Sequence, residues 1–213
     1  MMDPVASLHI VSGDADAAAV MRRMAVSSSL RAHIHESGRV FLDAERAAGP
    51  SCAIVDAALP DIPVALLQEE MRRHGRDLPT IIIARDIDVS AIVHAIKAGA
   101  VDYLHWPCDE RRLRDAIGEA LGRDAALRKS RTFITDVKLR LLRLTCRERE
   151  VLDAIVVGFP NKRIAVELGI SEKTVEAHRA RVKEKLNAAG VADLVRMVIV
   201  AGEHPQSQEN DYG

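Results

Sequence analysis

The sequence predicts a two-part chain. Residues 1–121 form an α/β part on a parallel sheet covered by helices on both faces. Residues 122–143 form a helical linker, and residues 144–201 an all-α part of four helices. A polar tail, 202–213, is expected to be disordered. Three observations carry this. Short apolar runs alternate with helical segments over the first ~120 residues, the pattern of βα units. The C-terminal part instead shows short capped helical segments and no strand pattern. The charge also divides. Residues 1–123 hold 14 Lys/Arg against 18 Asp/Glu, whereas residues 128–200 hold 16 against 9. A neutral-to-acidic front with a basic back suits a control domain joined to a nucleic-acid binder.

Each element has a local reason. Leu8–Val11 is an apolar run that stops at Ser12–Gly13, a first strand. Ala15–Leu30, rich in Ala and Met, reads as a helix. Val40 and Phe41 open a weaker segment, and Ala44–Ala48 reads as helical. Cys52–Val55 is a buried-type strand ending at Asp56. Pro60 and Pro63 break the chain before a helix over Val64–His74. Thr80–Ala84, with three consecutive Ile, is the next strand. Ser90 is placed to cap a helix through Lys97, and Gly99 to stop it. Val101–His105 is a strand, and a helix from about Asp109 reaches Leu121. Ligands of such sheets bind beyond the carboxyl ends of the strands. The positions to inspect are therefore Ser12, Gly13, Asp56, Ala84, His105 and Trp106.

Composition bounds the rest. The chain has 213 residues, one or two domains at about 150 residues each. Apolar residues are 48% and net charge is −1, which excludes disorder as the main state. Aromatics are only 3%, so the cores must be aliphatic. Apolar runs such as Thr80–Ala84 fall far short of the ~18 residues that span a bilayer. No leader pattern opens the chain, so a cytoplasmic protein without membrane contact is expected. Cys52, Cys108 and Cys146 lie far apart, which argues against a disulfide framework or a zinc site.

Residues 7–121 resemble the receiver domain of two-component response regulators. The resemblance rests on HIVSGDADAA, on VDAALPD with Pro60 four residues after Asp56, and on AIKAGAVDYL followed by Pro107. It implies a flavodoxin-like α/β fold with a doubly wound five-stranded parallel sheet. It also implies a phosphoryl-transfer site: an aspartate nucleophile, two acidic Mg²⁺ ligands, a Thr/Ser after strand four and a Lys after strand five. Mg²⁺ takes oxygen ligands and neutralises the transferring group. Asp56 falls on the phosphoacceptor position. The acidic pair falls on Ser12 and Gly13, with Asp14 and Asp16 one or more positions late. The hydroxyl position falls on Ala84 and the Lys position on Trp106, while Tyr103 takes the aromatic switch position. Losing a metal carboxylate or a phosphate-pairing cation costs several kcal/mol of transition-state stabilisation. The expectation is an atypical receiver that uses no cofactor, Mg²⁺ included, and is not switched by aspartyl phosphorylation. Trp106 has two readings, a ring plugging the site over Asp56 or simple packing.

The linker mixes Arg and Lys with periodic Ala126, Leu127, Ile134, Val137 and Leu141, and so reads as helical, with room for an interruption. Beyond it, Thr145 and Glu148 form a capping box opening a helix to Val157, and Gly158 ends it. Asn161–Leu168 is short, Gly169 turns, and Ser171 caps Glu172–Leu186. Val191–Val200 is the fourth helix. From Leu144 to Val200 the chain resembles the helix-turn-helix of LuxR/FixJ/NarL-type regulators, which implies double-stranded DNA as partner. Two short helices, a Gly turn and a basic second helix suit that role.

Helical geometry then sorts the second of those helices. Val175, Val182 and Leu186 share a core face. Arg181 can read guanine, Glu176 cytosine, and Ala177 or Ala180 a thymine methyl. Lys162, Lys173, Thr174, Arg179 and Lys183 suit phosphates, and Asn161 with Lys162 resembles the family's backbone-contacting pair. His178 is expected to flank the core. Val191, Leu194, Val195 and Val198 correspond to the family's dimer contact, which implies a homodimer on a palindromic site. Cys146 stands where the family usually has Pro; a neutral substitution is the simpler reading beside an oxidisable thiol.

Three functions compete. The first is a transcription factor with a phosphorylation-independent receiver. The second is a conventional phospho-activated response regulator, with Asp14 and Asp16 rescuing metal binding. The third is a receiver that docks a sensor kinase or regulatory protein, with DNA binding secondary. An enzyme is disfavoured because no second catalytic constellation appears.

Overall fold

The computed structural model describes residues 5–45 and 47–203. The chain divides into two compact units, Met1–Arg128 and Lys129–Gly213.

The first unit alternates strand and helix: β1 (Ser7–Val11), α1 (Ala15–Ser27), β2 (Arg31–His35), α2 (Gly38–Asp43), β3 (Ser51–Asp56), α3 (Val64–Arg73), β4 (Thr80–Ala84), α4 (Val89–Lys97), β5 (Asp102–His105) and the start of α5 (Glu110–Leu141). All strands are parallel, in the order β2-β1-β3-β4-β5. This is the doubly wound five-stranded sheet the sequence predicts. β1, β3 and β4 are buried along their whole length, as strands covered on both faces must be. The strand period of two sends Ile81 and Ile83 to one face, with Met21, Leu113 and Ile117. It sends Ile82 to the other, with Phe41, Leu67 and Met71. Chain order reverses between β1 and β3, so the crevice lies beyond Val11 and Asp56.

Four expectations need correction. The second strand is Arg31–His35, and α2 begins at Gly38; Ala44, Glu45, Ala47 and Ala48 are not helical, and residue 46 lies outside the described residues. The strand escaped notice because RAHIH carries one aliphatic Ile on an edge, and that Ile34 is 45% exposed. The cap of α4 is Asp88, whose carboxylate accepts from Ser90 N, rather than Ser90 itself.

The third correction concerns the linker. It is helical, as expected, but without an interruption and without a break from the helix before it: α5 runs from Glu110 to Leu141. No Pro or cap interrupts it, and its two ends serve different cores. Asp124, fully buried, accepts from Ser51 N at 2.8 Å and from Arg128 Nε at 2.5 Å. Arg128 also donates to the carbonyls of Ala47 and Ala48. These bonds bind the helix to the first unit past Leu121. Val137 and Leu141 are buried in the second unit's core.

The second unit continues with α6 (Cys146–Val157), α7 (Asn161–Leu168), α8 (Glu172–Leu186) and α9 (Val191–Val200). The capping box of Thr145 and Glu148 is formed on both sides. Gly158 and Gly169 end α6 and α7 at φ 94° and 64°, a backbone region that favours glycine. Ser171 Oγ accepts from Thr174 N to cap α8. Val175, Val182 and Leu186 are fully buried, as the helical period predicts. The fourth correction is in α9. Of the expected stripe, Leu194 and Val198 belong to the unit's own core, Val195 is partly buried and Val191 is exposed, so the stripe is split. Of the expected tail, Gly202 and Glu203 are described, and Glu203 pairs with Arg149. Residues 204–213 lie outside the described residues.

Candidate functional site

The carboxyl ends of β1 and β3 bring Ser12 and Asp56 together. Asp56 is 8% exposed and Ser12 3%. Ser12 Oγ donates to Asp56 Oδ2 at 2.8 Å, and Ala58 N donates to Asp56 Oδ1 at 2.9 Å. Both carboxylate oxygens are therefore engaged. Ser12 Oγ in turn accepts from Asp14 N at 3.1 Å, which fixes the hydroxyl.

Asp14 does different work from a metal ligand. It is the N-cap of α1, and its Oδ1 accepts from Asp16 N at 2.9 Å and Ala17 N at 3.0 Å. Its Oδ2 pairs with the Arg85 guanidinium. The Ala17 amide, with help from Arg85, holds the Asp14 carboxyl below the usual range. Gly13 offers no ligand, and a Cβ placed there lies 3.3 Å from Pro60 Cδ, so a side chain needs the ring to give. Mg²⁺ requires several oxygens converging in near-octahedral geometry. The Asp14 carboxylate is engaged by the start of α1 and by Arg85, and that of Asp56 by Ser12 and the Ala58 amide. Among the described residues no three His, Cys, Asp or Glu converge as a metal site.

Ala84 is buried, and its carbonyl accepts from Trp106 N. The Trp106 ring is 8% exposed and lies in the apolar cluster of α1 and α5, with Ala17, Met21 and Leu113. It also lines a cavity with Asp14, Asp16 and Arg85. Tyr103 is partly buried against the α3/α4-side cluster; burial, then Asp88 and Asp86, raise its phenol. Sequence reasoning missed Arg85 and the donor role of Ser12. Arg85 directly follows Ala84, so its position at a strand end was the available signal.

On α8, Lys173, Thr174, Glu176, Ala177, Ala180, Arg181 and Lys183 are exposed, and Arg179 is partly so. Lys173, Ala177, Ala180 and Arg181 lie on the side away from Val175, Val182 and Leu186, Thr174, Glu176 and Lys183 lie at its flanks, and Arg179 borders the buried face. Lys162 is exposed at the start of α7 and Asn161 is partly buried beside it. Thr174 Oγ1 hydrogen-bonds Ser171 Oγ at 2.8 Å. His178 is partly buried, and its Nδ1 has no hydrogen-bond partner among the described residues. Two further contacts brace this surface. Arg163 stacks on Phe159 with its guanidinium carbon 3.6 Å from the ring centre. Lys185, the next-to-last residue of α8, donates to Glu148 Oε2 at 2.6 Å. Cys146 is exposed at the start of α6, and all three cysteines are free. Burial pushes the Cys52 thiol up to about 12, so it is an inert core residue.

Comparison with known proteins agrees with both halves. Residues 8–118 match the response regulator receiver domain, and residues 142–198 match the bacterial regulatory proteins of the luxR family. The transcriptional regulatory protein FixJ of Azorhizobium caulinodans is 35% identical over 198 residues, covering 93% of this chain and 94% of its own. That of Rhizobium meliloti is 33% identical, covering 93% and 98%. Among solved structures, the response regulator StyR superposes with a TM-score of 0.80 at 31% identity, covering 92% of this chain and 98% of its own. The chain belongs to the response regulators that join a receiver domain to a LuxR-type domain. Within that class it is a DNA-binding transcriptional response regulator of the FixJ type. Among the described residues, no helix is long and apolar enough to cross a membrane.

Proposed function

We propose that this regulator binds its target DNA without aspartyl phosphorylation, its receiver acting as a fixed scaffold. The observation that carries the reading is the 2.8 Å hydrogen bond from Ser12 to Asp56. An acidic residue there would help hold Mg²⁺; a hydroxyl instead donates to the carboxylate that would attack. The Arg85–Asp14 pair supports the same reading, since it neutralises the carboxylate nearest to the expected metal position. Without Mg²⁺, a hydroxyl at Ala84 or a cation at Trp106, little stabilises the transferring phosphoryl group. The regulator works in the cytoplasm, as a homodimer on a palindromic site. Its receiver remains available to a sensor kinase or another regulatory protein as a docking partner.

The test is anisotropy of a labelled operator selected from genomic fragments, at fixed salt. Binding by the untreated protein is expected to change less than twofold with Mg²⁺ and a small phosphodonor, and to be the same in Asp56→Asn. A tenfold gain with the donor that is lost in Asp56→Asn overturns the reading.

The same assay tests the DNA face. Arg181→Ala is expected to weaken specific binding about 10- to 100-fold, the size of one lost bidentate base contact of ~1–3 kcal/mol. Lys173→Ala is expected to weaken binding to all sequences alike and to lower the salt slope by about 1. A wild-type affinity and base preference in Arg181→Ala removes that residue from the reading head.

A further inference from the structure

We infer that the cleft at the amino ends of β4 and β5 binds a small organic anion with an apolar body and one hydrogen-bond donor. This cleft is at the opposite end of the sheet from Asp56 and shares no residue with that site. Its volume is about 540 Å³, within the ~300–1,000 Å³ usual for small-molecule sites. Five segments converge on it: α3, the loop into β4, the start of β4, the α4–β5 turn, and α5.

The lining sets the ligand class. Its bed is apolar, made by Met71, Leu78, Pro79, Val101, Ala126 and Leu127. Leu127 is left 42% exposed on α5. Three arginines, Arg72, Arg76 and Arg123, face one carboxylate, Asp77, so the lining is net positive. Arg76 is committed to the carbonyls of Phe41 and Ala44. Arg72 and Arg123 stand exposed at the rim. The independent observation is Gln68, which lines the cleft and is 5% exposed. Its Nε2 makes a long 3.5 Å bond to the Ala95 carbonyl, and its Oε1 has no hydrogen-bond partner among the described residues. A buried acceptor left unpaired is costly. That oxygen is the acceptor for an N–H or O–H of a molecule seated in the cleft. An aromatic or alicyclic acid carrying such a donor meets all three demands: apolar bed, cationic rim, unpaired acceptor.

The probe is 8-anilinonaphthalene-1-sulfonate, which combines two aromatic ring systems, naphthalene and phenyl, with an anionic group and one N–H. Titrated into the full chain, it is expected to bind at one saturable site. Ala126→Phe, which fills the cleft from an exposed helix position, and Arg123→Glu, which reverses the rim charge, are each expected to weaken binding at least tenfold. Both sites are exposed, and circular dichroism checks that both variants fold. Indole-3-acetate is expected to displace the dye at least tenfold better than neutral indole. At a hundredfold excess over its Kd it should also raise the Trp106-monitored melting midpoint by several degrees. Fluorescence that does not saturate, or that persists at wild-type affinity in Ala126→Phe, overturns the site. Equal displacement by indole and indole-3-acetate, or unchanged binding in Arg123→Glu, overturns the anionic class.

Discussion

Acidifying the protein from pH 6.5 to 5.0 is expected to cost the receiver about 3–4 kcal/mol of stability. The cause is a histidine cluster on β1 and β2. His9 and His35 are 4% and 7% exposed, and His9 Nδ1 lies 3.0 Å from His35 Nε2. His33 stacks on His9 at 5.0 Å, and Phe41 closes the cluster edge-on, with Arg76 over its other side. Burial first, then the neighbouring histidines and Arg76, push His9 down to about 4. Burial, His33 and Arg76 push His35 down to about 4 as well. In the unfolded chain both titrate near 6.5.

The sign follows from proton counts. Well above pH 6.5 both states hold these two histidines neutral and their contribution to stability is flat. Between 6.5 and 4 the unfolded chain binds protons the native state refuses, so stability falls as pH falls. Each histidine contributes at most ~1.4 kcal/mol per pH unit. Trp106 is the single tryptophan and sits in the receiver core, so urea unfolding followed by its fluorescence reports this unit alone. His9→Leu is expected to halve the slope between pH 6.5 and 5. A wild-type unfolding midpoint constant across that window contradicts the argument.

The second large effect is expected at Glu148. Replacing it by Gln should destabilise the DNA-binding unit by about 2–3 kcal/mol and lower its melting midpoint by roughly 10 °C. Glu148 is 3% exposed, and its Oε2 accepts from Thr145 N at 2.8 Å and Lys185 Nζ at 2.6 Å. The Lys185 hydrogen bond, then the Thr145 amide, hold its carboxyl down at about 2. A depressed carboxyl stabilises the fold above its unfolded value of ~4.3, and that contribution is lost as pH falls through 2. Lys185 is one-third exposed, and the water around it screens the pair, which keeps the figure below the full shift. In Glu148→Gln, a weaker acceptor faces a lysine that still needs an anion. Far-UV circular dichroism on heating follows the change. Operator binding should fail near the lowered midpoint and return on cooling. A midpoint within 1 °C of wild type refutes the assignment of Glu148 as the tie between α6 and α8.

Much of this was legible in the residues. β3 and β4 were readable because each is an unbroken apolar run ended by a charged residue, and such a run buries both faces wherever it pairs. The Thr145–Glu148 box, Gly158, Gly169 and the Val175/Val182/Leu186 face were readable because caps and helical period act within a few residues. Asp56, Ser12, Gly13, Ala84 and Trp106 were legible as positions, since each falls at or next to a strand end.

What those positions do was decided by the tertiary structure. Ser12 reaches Asp56 across 44 residues and Arg85 reaches Asp14 across 71, so no local pattern records either pairing. β2 is a strand because β1 offers an edge, not because Arg-Ala-His-Ile-His has a strand pattern. Its register against β1 brings His9, His33 and His35 together and so creates the acid-sensitive cluster. The helical period of α5 gave no sign that Asp124 would be buried under the start of β3, or that Val137 would enter a second core. Periodicity and capping chemistry are properties of a few adjacent residues. Which carboxylate meets which donor is a property of the sheet order, and that order forms only when the whole apolar surface is buried at once.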